Sequence, residues 1–213
     1  MPAVVFDLDG TLIDSLPGIA GAANDTLAEF GKAPLSQATL GTFVGHGAEV
    51  FVDRLFAATD LRAPRADVLR AFYGHYERAG ATTTLFPGVR DMLETLWARD
   101  VPVGLCTNKP SGPLDAVLDA LALRGFFDAI VAGDSLPRRK PDPAPLHHAF
   151  RSLDAAPGVF VGDSDVDAET ALRAGAPLVL FTEGIRHKPT SDLPHSVAFD
   201  DFAALPEILA RFD

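Results

Sequence analysis

The stretch that decides the fold is "AVVFDLDGTLIDS", Ala3 to Ser15. An apolar run stops abruptly at two aspartates one residue apart, Asp7 and Asp9, and Gly10 and Thr11 follow at once. Neighbouring carboxylates repel each other, and a strand end gives them little water, so bare structure gains nothing from the pair. The pattern calls for something positive at that point of the chain.

Working outward, similar short apolar runs recur at 101–107 ("VPVGLCT"), 127–132 ("FDAIVA"), 158–163 ("GVFVGD") and 177–181 ("PLVLF"), with a late "SVAF" at 196–199. Between them lie segments with helical spacing, such as "PGVRDMLETLWARD", "GPLDAVLDALAL", "APLHHAFRSL" and "DVDAETALRAG". Strands alternating with helices predict an α/β fold, a parallel sheet covered on both faces in three layers, because right-handed crossovers place helices there. The interval from about Ser15 to Thr84 breaks this rhythm. It reads as consecutive helices with no strand inside: "PGIAGAANDTLAEFG", "SQATLGTFVG", "AEVFVDRLFAAT" and "RADVLRAFYGHYERAG". The simplest organisation is a core of residues 1–14 and 84–213 with an all-helical cap, 15–83, over the edge of the sheet. Hinges are expected near Ser15 and Thr83 to Phe86.

Composition narrows the function classes. The chain has 213 residues, 47% of them hydrophobic, enough for a full-sized core. Its 29 acidic against 18 basic residues give a formal charge of −11, which repels nucleic acid and anionic membranes. An anionic substrate must therefore be drawn in locally. The single cysteine, Cys106, reads as a small buried apolar residue and forms no intramolecular disulfide. No basic leader or membrane-length apolar run is present, so a cytoplasmic monomer or homodimer is expected. The sequence contains no GxxxxGK[ST], GxSxG or GxGxxG motif. A calcium-loop reading of Asp163, Asp165 and Asp167 fails, because Ala168 replaces the required glycine and Ala174 the bidentate glutamate.

In open parallel sheets ligands bind beyond the carboxyl ends of the strands, so the informative residues lie where each apolar run stops. Those ends carry Asp7, Asp9, Gly10 and Thr11, then Thr107, Asn108 and Lys109, then Asp163 to Asp167, with Lys140 in the loop after the third run. Gathered at one rim they offer a carboxylate cluster, a hydroxyl and one cation. That set suits phosphoryl transfer, which rests on positioning and charge neutralisation. Mg²⁺ takes carboxylate, water and phosphate oxygens, and answers the puzzle of the paired aspartates. Asp7 then suits a nucleophile forming an aspartyl-phosphate, and Asp9 a general acid for the leaving oxygen and later a base for water. Thr107 is placed to donate to a phosphoryl oxygen and Lys140 to neutralise charge, while Gly10 lets the backbone approach closely.

In their order and separations, "DLDGTLIDS", "CTNKP", "RRKPDPAP" and "GDSDVDAETALRAG" resemble the four motifs of the haloacid dehalogenase-like superfamily over essentially the whole chain. The resemblance implies a Rossmann-like core with a C1-type helical cap. It also implies a Mg²⁺-dependent phosphatase in which Asp7 is nucleophile and ligand, and Asp9 is acid/base with its main-chain carbonyl on the metal. Thr107 and Lys140 would bind the phosphoryl group, Asp163 would ligate the metal, and Asp167 would support it from farther out or through water. A finer similarity, to bacterial phosphoglycolate phosphatases, rests on "FVGHGAEVFVDRL", "LFPGVRDMLETL" and "VPVGLCTNKP". It implies a small phosphorylated metabolite as partner, 2-phosphoglycolate first, and substrate contacts from Gly10, Thr11, Asn108, Gly45, His46 and Gly47. After the last long apolar run these enzymes have an aromatic-glycine loop resembling "TYGY", whereas this chain reads "FTEGIRHKP". A sugar phosphomutase, pyrophosphatase or nucleotidase of the same superfamily shares these residues. So does a non-catalytic phosphoryl receiver, although that would need neither an acid at Asp9 nor a cap.

Overall fold

The structure is a computed structural model and describes residues 1–80, 83–154 and 158–212. The first strand, β1 (Val4–Phe6), leads into a two-residue strand β2 (Ile13–Asp14) and then four helices: α1 (Leu16–Glu29), α2 (Gln37–Gly41), α3 (Ala48–Ala58) and α4 (Arg65–Ala79). The chain returns through β3 (Thr84–Leu85) and continues as α5 (Val89–Ala98), β4 (Val103–Cys106), α6 (Ser111–Ala120), β5 (Ala129–Val131), α7 (Ala144–Ser152), β6 (Val159–Gly162), α8 (Asp165–Ala174), β7 (Leu178–Phe181), β8 (Val197–Phe199) and α9 (Leu205–Leu209).

Six strands form one parallel sheet in the order β5-β4-β1-β6-β7-β8. Strand β1 sits where the order reverses, pairing with β4 on one side (Phe6 opposite Leu105) and β6 on the other (Phe6 opposite Val161). That reversal opens a crevice at the carboxyl ends of three adjacent strands, the place where such sheets bind ligands. Runs such as Val4–Phe6 and Val159–Gly162 are buried throughout because both faces are covered. Alternation along the strand sorts the two outer layers. Val4 and Phe6 pack with Met92 and Leu93 of α5 and Leu114 of α6, while Val5 packs with Leu146 and Phe150 of α7 and Ala171 of α8. Cys106 lies in the second of these layers, where burial pushes its thiol up to about 12, as befits an inert core residue.

Helices α1–α4 enclose an apolar cluster of their own, with Ile19, Ala23 and Leu27 of α1 against Phe51, Leu55 and Phe72. The chain leaves and re-enters the sheet layer through an antiparallel ribbon, Ile13 opposite Leu85 and Asp14 opposite Thr84. The ribbon flanks the interval read as all-helical, at the positions expected for hinges, and its two-residue strands carry no periodicity to read. Residues 81 and 82, within the expected cap segment, lie outside the described residues. Among the described residues no helix is long and apolar enough to cross a membrane.

Candidate active site

The backbone ladder carries the functional residues one step beyond their strands. Asp7 N–H donates to Val161 O at 2.8 Å, and Thr107 N–H to Val131 O at 3.0 Å, so both side chains emerge at the crevice in the register of the sheet. Asp163 follows β6 directly. Its neighbour Ser164 caps α8 in a reciprocal box with Asp167, so the turn after β6 is held from both ends. The helix therefore starts on Ser164, with Asp165 its first residue.

Asp7, Asp163 and Asp167 come together with one carboxylate oxygen each within 4.8 Å of the others. Lys140, 4% exposed, places its ammonium 2.7 Å from Asp7 Oδ1 and 2.7 Å from Asp167 Oδ1. Two carboxylates thus share one ammonium and a third, Asp163, lies beside them, so full ionisation would leave two negative charges uncompensated in a buried place. Burial pushes Asp7 up to about 7, with Asp167 adding to the rise and Lys140 opposing it. Burial, then Asp167 and Asp7, hold the Asp163 carboxyl well above the usual range. Burial alone would lower Lys140, but Asp167 and Asp7 outweigh it and hold it above the ordinary lysine value. Hard oxygen donors with two uncompensated charges fit a divalent cation. Asp167 is already well engaged: its Oδ2 accepts from Ser164 Oγ at 2.6 Å and Ser164 N–H at 3.1 Å, while its Oδ1 holds Lys140.

Asp163 is clasped from two directions, accepting from Thr11 Oγ1 at 2.6 Å and from Ile185 N–H at 2.6 Å. Two glycines make room for it. A Cβ on Gly10, whose φ is +87°, would lie 2.5 Å from Asp163 Oδ2, and one on Gly184 would lie 2.3 Å from Asp163 Cβ. The loop that departs from the aromatic-glycine pattern therefore serves the acidic cluster through its backbone, which its side chains do not alter. The same loop reaches the helical insert. His187 lies 2.9 Å from Asp165 Oδ1 and 3.0 Å from Thr42 O, bridging the two layers.

Of the remaining sequence candidates, Asp9 turns its carboxylate away from the other three and meets Lys109 Nζ at 3.0 Å. Thr107 Oγ1 accepts from Lys109 N–H at 3.1 Å, which leaves its own proton free to donate. Asn108 acts as a bracket: Nδ2 donates to Gly45 O and to Lys140 O, both at 2.9 Å, and Oδ1 accepts from Lys140 N–H at 3.0 Å. Gly10 and Thr11 pack on Asp163, while Gly45 and Gly47 line a cavity between the sheet and the helices. His46 is not among the residues lining it; its Nδ1 lies 3.4 Å from Arg54.

That cavity, about 50 Å³, is walled on the sheet side by Asp7, Asp9, Thr107, Lys109 and Lys140. From the helices come Ile19, Val44, Ala48, Phe51, Phe72 and Tyr76. The rim therefore carries two cations where sequence reading gives one. Lys109 is 4% exposed, with Nζ 2.5 Å from Tyr76 Oη and 4.0 Å from the centre of the Tyr76 ring. Its position two residues past Thr107, in "CTNKP", is the signal that could have found it. Tyr76 offers no such signal, because it reads as one more aromatic on an amphipathic helix.

The sequence pattern of haloacid dehalogenase-like hydrolases matches residues 4–181. A phosphoglycolate phosphatase of Cereibacter sphaeroides is 46% identical over 216 residues, 99% of each chain. One from Rhodospirillum rubrum is 45% identical over 219 residues, 97% of this chain and 90% of its own. The crystal structure of a predicted phosphoglycolate phosphatase from Haemophilus somnus 129PT superposes with a TM-score of 0.91 at 31% identity, covering 98% of this chain and 97% of the other. The sheet order, the gathered aspartates and these likenesses agree: the chain belongs to the haloacid dehalogenase-like hydrolases and is a phosphatase, a phosphoric monoester hydrolase.

Proposed function

We propose that the protein hydrolyses a small phosphate monoester, 2-phosphoglycolate first, in two steps through a phosphorylated Asp7, with Mg²⁺ as cofactor. The observation that carries this reading is the placing of Asp7 and Asp9 on one cavity, with Asp7 Oδ1 held by Lys140 and Asp9 held separately by Lys109. Two carboxylates held by different partners suit different roles.

In the first step the free oxygen of Asp7 forms a bond to phosphorus as the ester P–O bond breaks. The leaving oxygen takes that electron pair and a proton from Asp9. In the second, water gives a proton to Asp9 and bonds to phosphorus, and the acyl-phosphate P–O bond breaks to return the Asp7 carboxylate and free phosphate. Thr107 donates its hydroxyl proton to a phosphoryl oxygen, and Lys140 steadies the charge on Asp7 and the transferring group. Asp7 and Asp163, with the main-chain carbonyl of Asp9, would hold Mg²⁺, and Asp167 would keep Lys140 and the 163–164 backbone in place. Bound there, the ion supplies charge neutralisation for the phosphoryl oxygens. The helical segment 15–83 acts as the cap that keeps bulk water from the acyl phosphate.

The relatives support the choice of substrate: proteins named phosphoglycolate phosphatase match 97–99% of this chain. Intact-protein mass spectrometry after mixing with p-nitrophenyl phosphate tests the mechanism. Asp9→Asn should accumulate one phosphoryl group, because a good leaving group needs no acid while water lacks its base. Asp7→Asn should show none and turn over no ester. Wild-type turnover by either variant would remove the roles assigned here.

A further inference from the structure

Lys109 and Tyr76 stand apart from the phosphoryl-transfer set. Neither touches Asp7, Asp163 or Lys140 by any hydrogen bond among the described residues, and both face the cavity where a leaving group would sit. The helical wall is otherwise apolar, with the Tyr76 hydroxyl its polar side chain. Tyr76 is held there by a run of rings: Phe43 meets Phe51 edge-on at 5.8 Å, Phe51 stacks on Phe72 at 5.0 Å, and Phe72 on Tyr76 at 5.4 Å. So fixed, the hydroxyl lies against the Lys109 ammonium.

The two lysines differ in what they leave free. Lys140 is committed to two carboxylates at 2.7 Å each. Lys109 donates to Asp9 at 3.0 Å (Oδ1) and 3.4 Å (Oδ2), one bifurcated bond, and to the Tyr76 hydroxyl, so the third proton of the ammonium is left to donate. Among the residues lining the cavity these are the only two cations. The first turn of α3 opens on the same space behind Gly47, and no side chain caps it, so its amides add to the positive potential there. A neutral leaving group would gain little from a buried ammonium set opposite the nucleophile, whereas an anionic one would be selected by it.

We propose that Lys109, positioned by Tyr76, is a specificity residue that binds a carboxylate on the leaving group. The inference rests on the phosphatase reading above and deepens it, since it fixes the substrate class as small phosphate esters that carry a carboxylate near the ester oxygen. The ammonium donates to the carboxylate, while the Tyr76 hydroxyl, which accepts from Lys109 and reaches Asp9 Oδ2 at 3.5 Å, holds that ammonium in position. Charge-assisted hydrogen bonds of this kind discriminate strongly against analogues that lack the acceptor.

The test compares 2-phosphoglycolate and 2-phospholactate with 2-hydroxyethyl phosphate, a neutral ester of similar length, in the wild type, Lys109→Met and Tyr76→Phe. Lys109→Met should lower kcat/KM for the carboxylated esters by about 100-fold, mainly through KM. The fall for the neutral ester should be at least roughly tenfold smaller, so that the preference collapses. Tyr76→Phe, which keeps the ring stack, should reduce the preference about fivefold in the same direction. Equal falls on all three esters, carried by kcat, would make Lys109 a support for Asp9 and overturn the proposal while leaving the phosphatase reading intact. Unchanged preference in both variants would overturn it as well. A Lys109-dependent preference for 2-phospholactate with poor turnover of 2-phosphoglycolate would uphold the residue and remove the named substrate. A wild type that hydrolyses none of the esters would sink both readings.

Discussion

The sheet wall of the cavity carries Asp7, Asp9, Thr107, Lys109 and Lys140, whereas the helical wall carries Ile19, Val44, Ala48, Phe51 and Phe72 with the single hydroxyl of Tyr76. On the first wall the charged groups hold one another, as Lys140 is held by Asp7 and Asp167, and Asp9 by Lys109. On the second, position comes from packing, the aromatic stack being the clearest case. The difference teaches a division of labour. Charge developing in a reaction needs donors and carboxylates fixed before it appears. Choice of leaving group needs a shaped surface with one or two well-placed polar groups.

Breaking the sheet wall should have the largest effect. Lys140→Met leaves Asp7 and Asp167 buried without their cation. Turnover should fall about 10³-fold, and stability by about 3–5 kcal/mol, read by steady-state kinetics and urea unfolding. A variant within tenfold of the wild type would show that the ammonium is dispensable for charge neutralisation.

The next effect separates the walls by pH. Asp7 rises from an ordinary 3.8 to about 7, and Asp163 shifts the same way, both first through burial. A carboxyl whose folded pKa is raised contributes stability that is fully present below the unfolded value and is lost as pH climbs through the folded one. The metal-free protein should therefore melt several degrees lower at pH 8 than at pH 5. Added Mg²⁺ should raise the midpoint more at pH 8 than at pH 5, since Asp7 is ionised above about 7. Melts that ignore Mg²⁺ at pH 8 would deny the carboxylate cluster its cation.

The smallest effect belongs to the helical wall. Val44→Ala enlarges the cavity without touching a charge. It should cost about 1–2 kcal/mol in stability and lower kcat/KM for 2-phosphoglycolate a few-fold, while bulkier esters gain by a similar factor. A fall of the Lys140→Met size would erase the contrast between the walls.

How much of this was legible depends on where the signal lies. Asp7, Thr107 and Asp163 could be read because each ends an apolar run, and a parallel sheet sends such ends to one edge. The helical run after Ser15 was equally plain in its periodicity and Pro17–Gly31 punctuation. Asn108, expected at the substrate, lines the cavity and also brackets Lys140 and Gly45, where its amide satisfies backbone groups that a sequence cannot bring together. Asp9 was expected to meet the metal through its main-chain carbonyl; that its side chain turns to Lys109 is a long-range contact no local pattern shows. The β2–β3 ribbon and the His187 bridge left no trace in local pattern.

Local spacing and strand-end chemistry thus determined by themselves the α/β fold, the helical insert and the acidic cluster with its lysine, since each follows from period, burial and the handed crossover of neighbouring elements. Only the tertiary structure decided that Tyr76 meets Lys109 and that Ile185 clasps Asp163. Those contacts join residues 33 and 22 positions apart in the chain. The first depends on how the helical layer docks on the sheet and the second on the pairing of β6 with β7, matters of complementary surfaces and register rather than of any one segment.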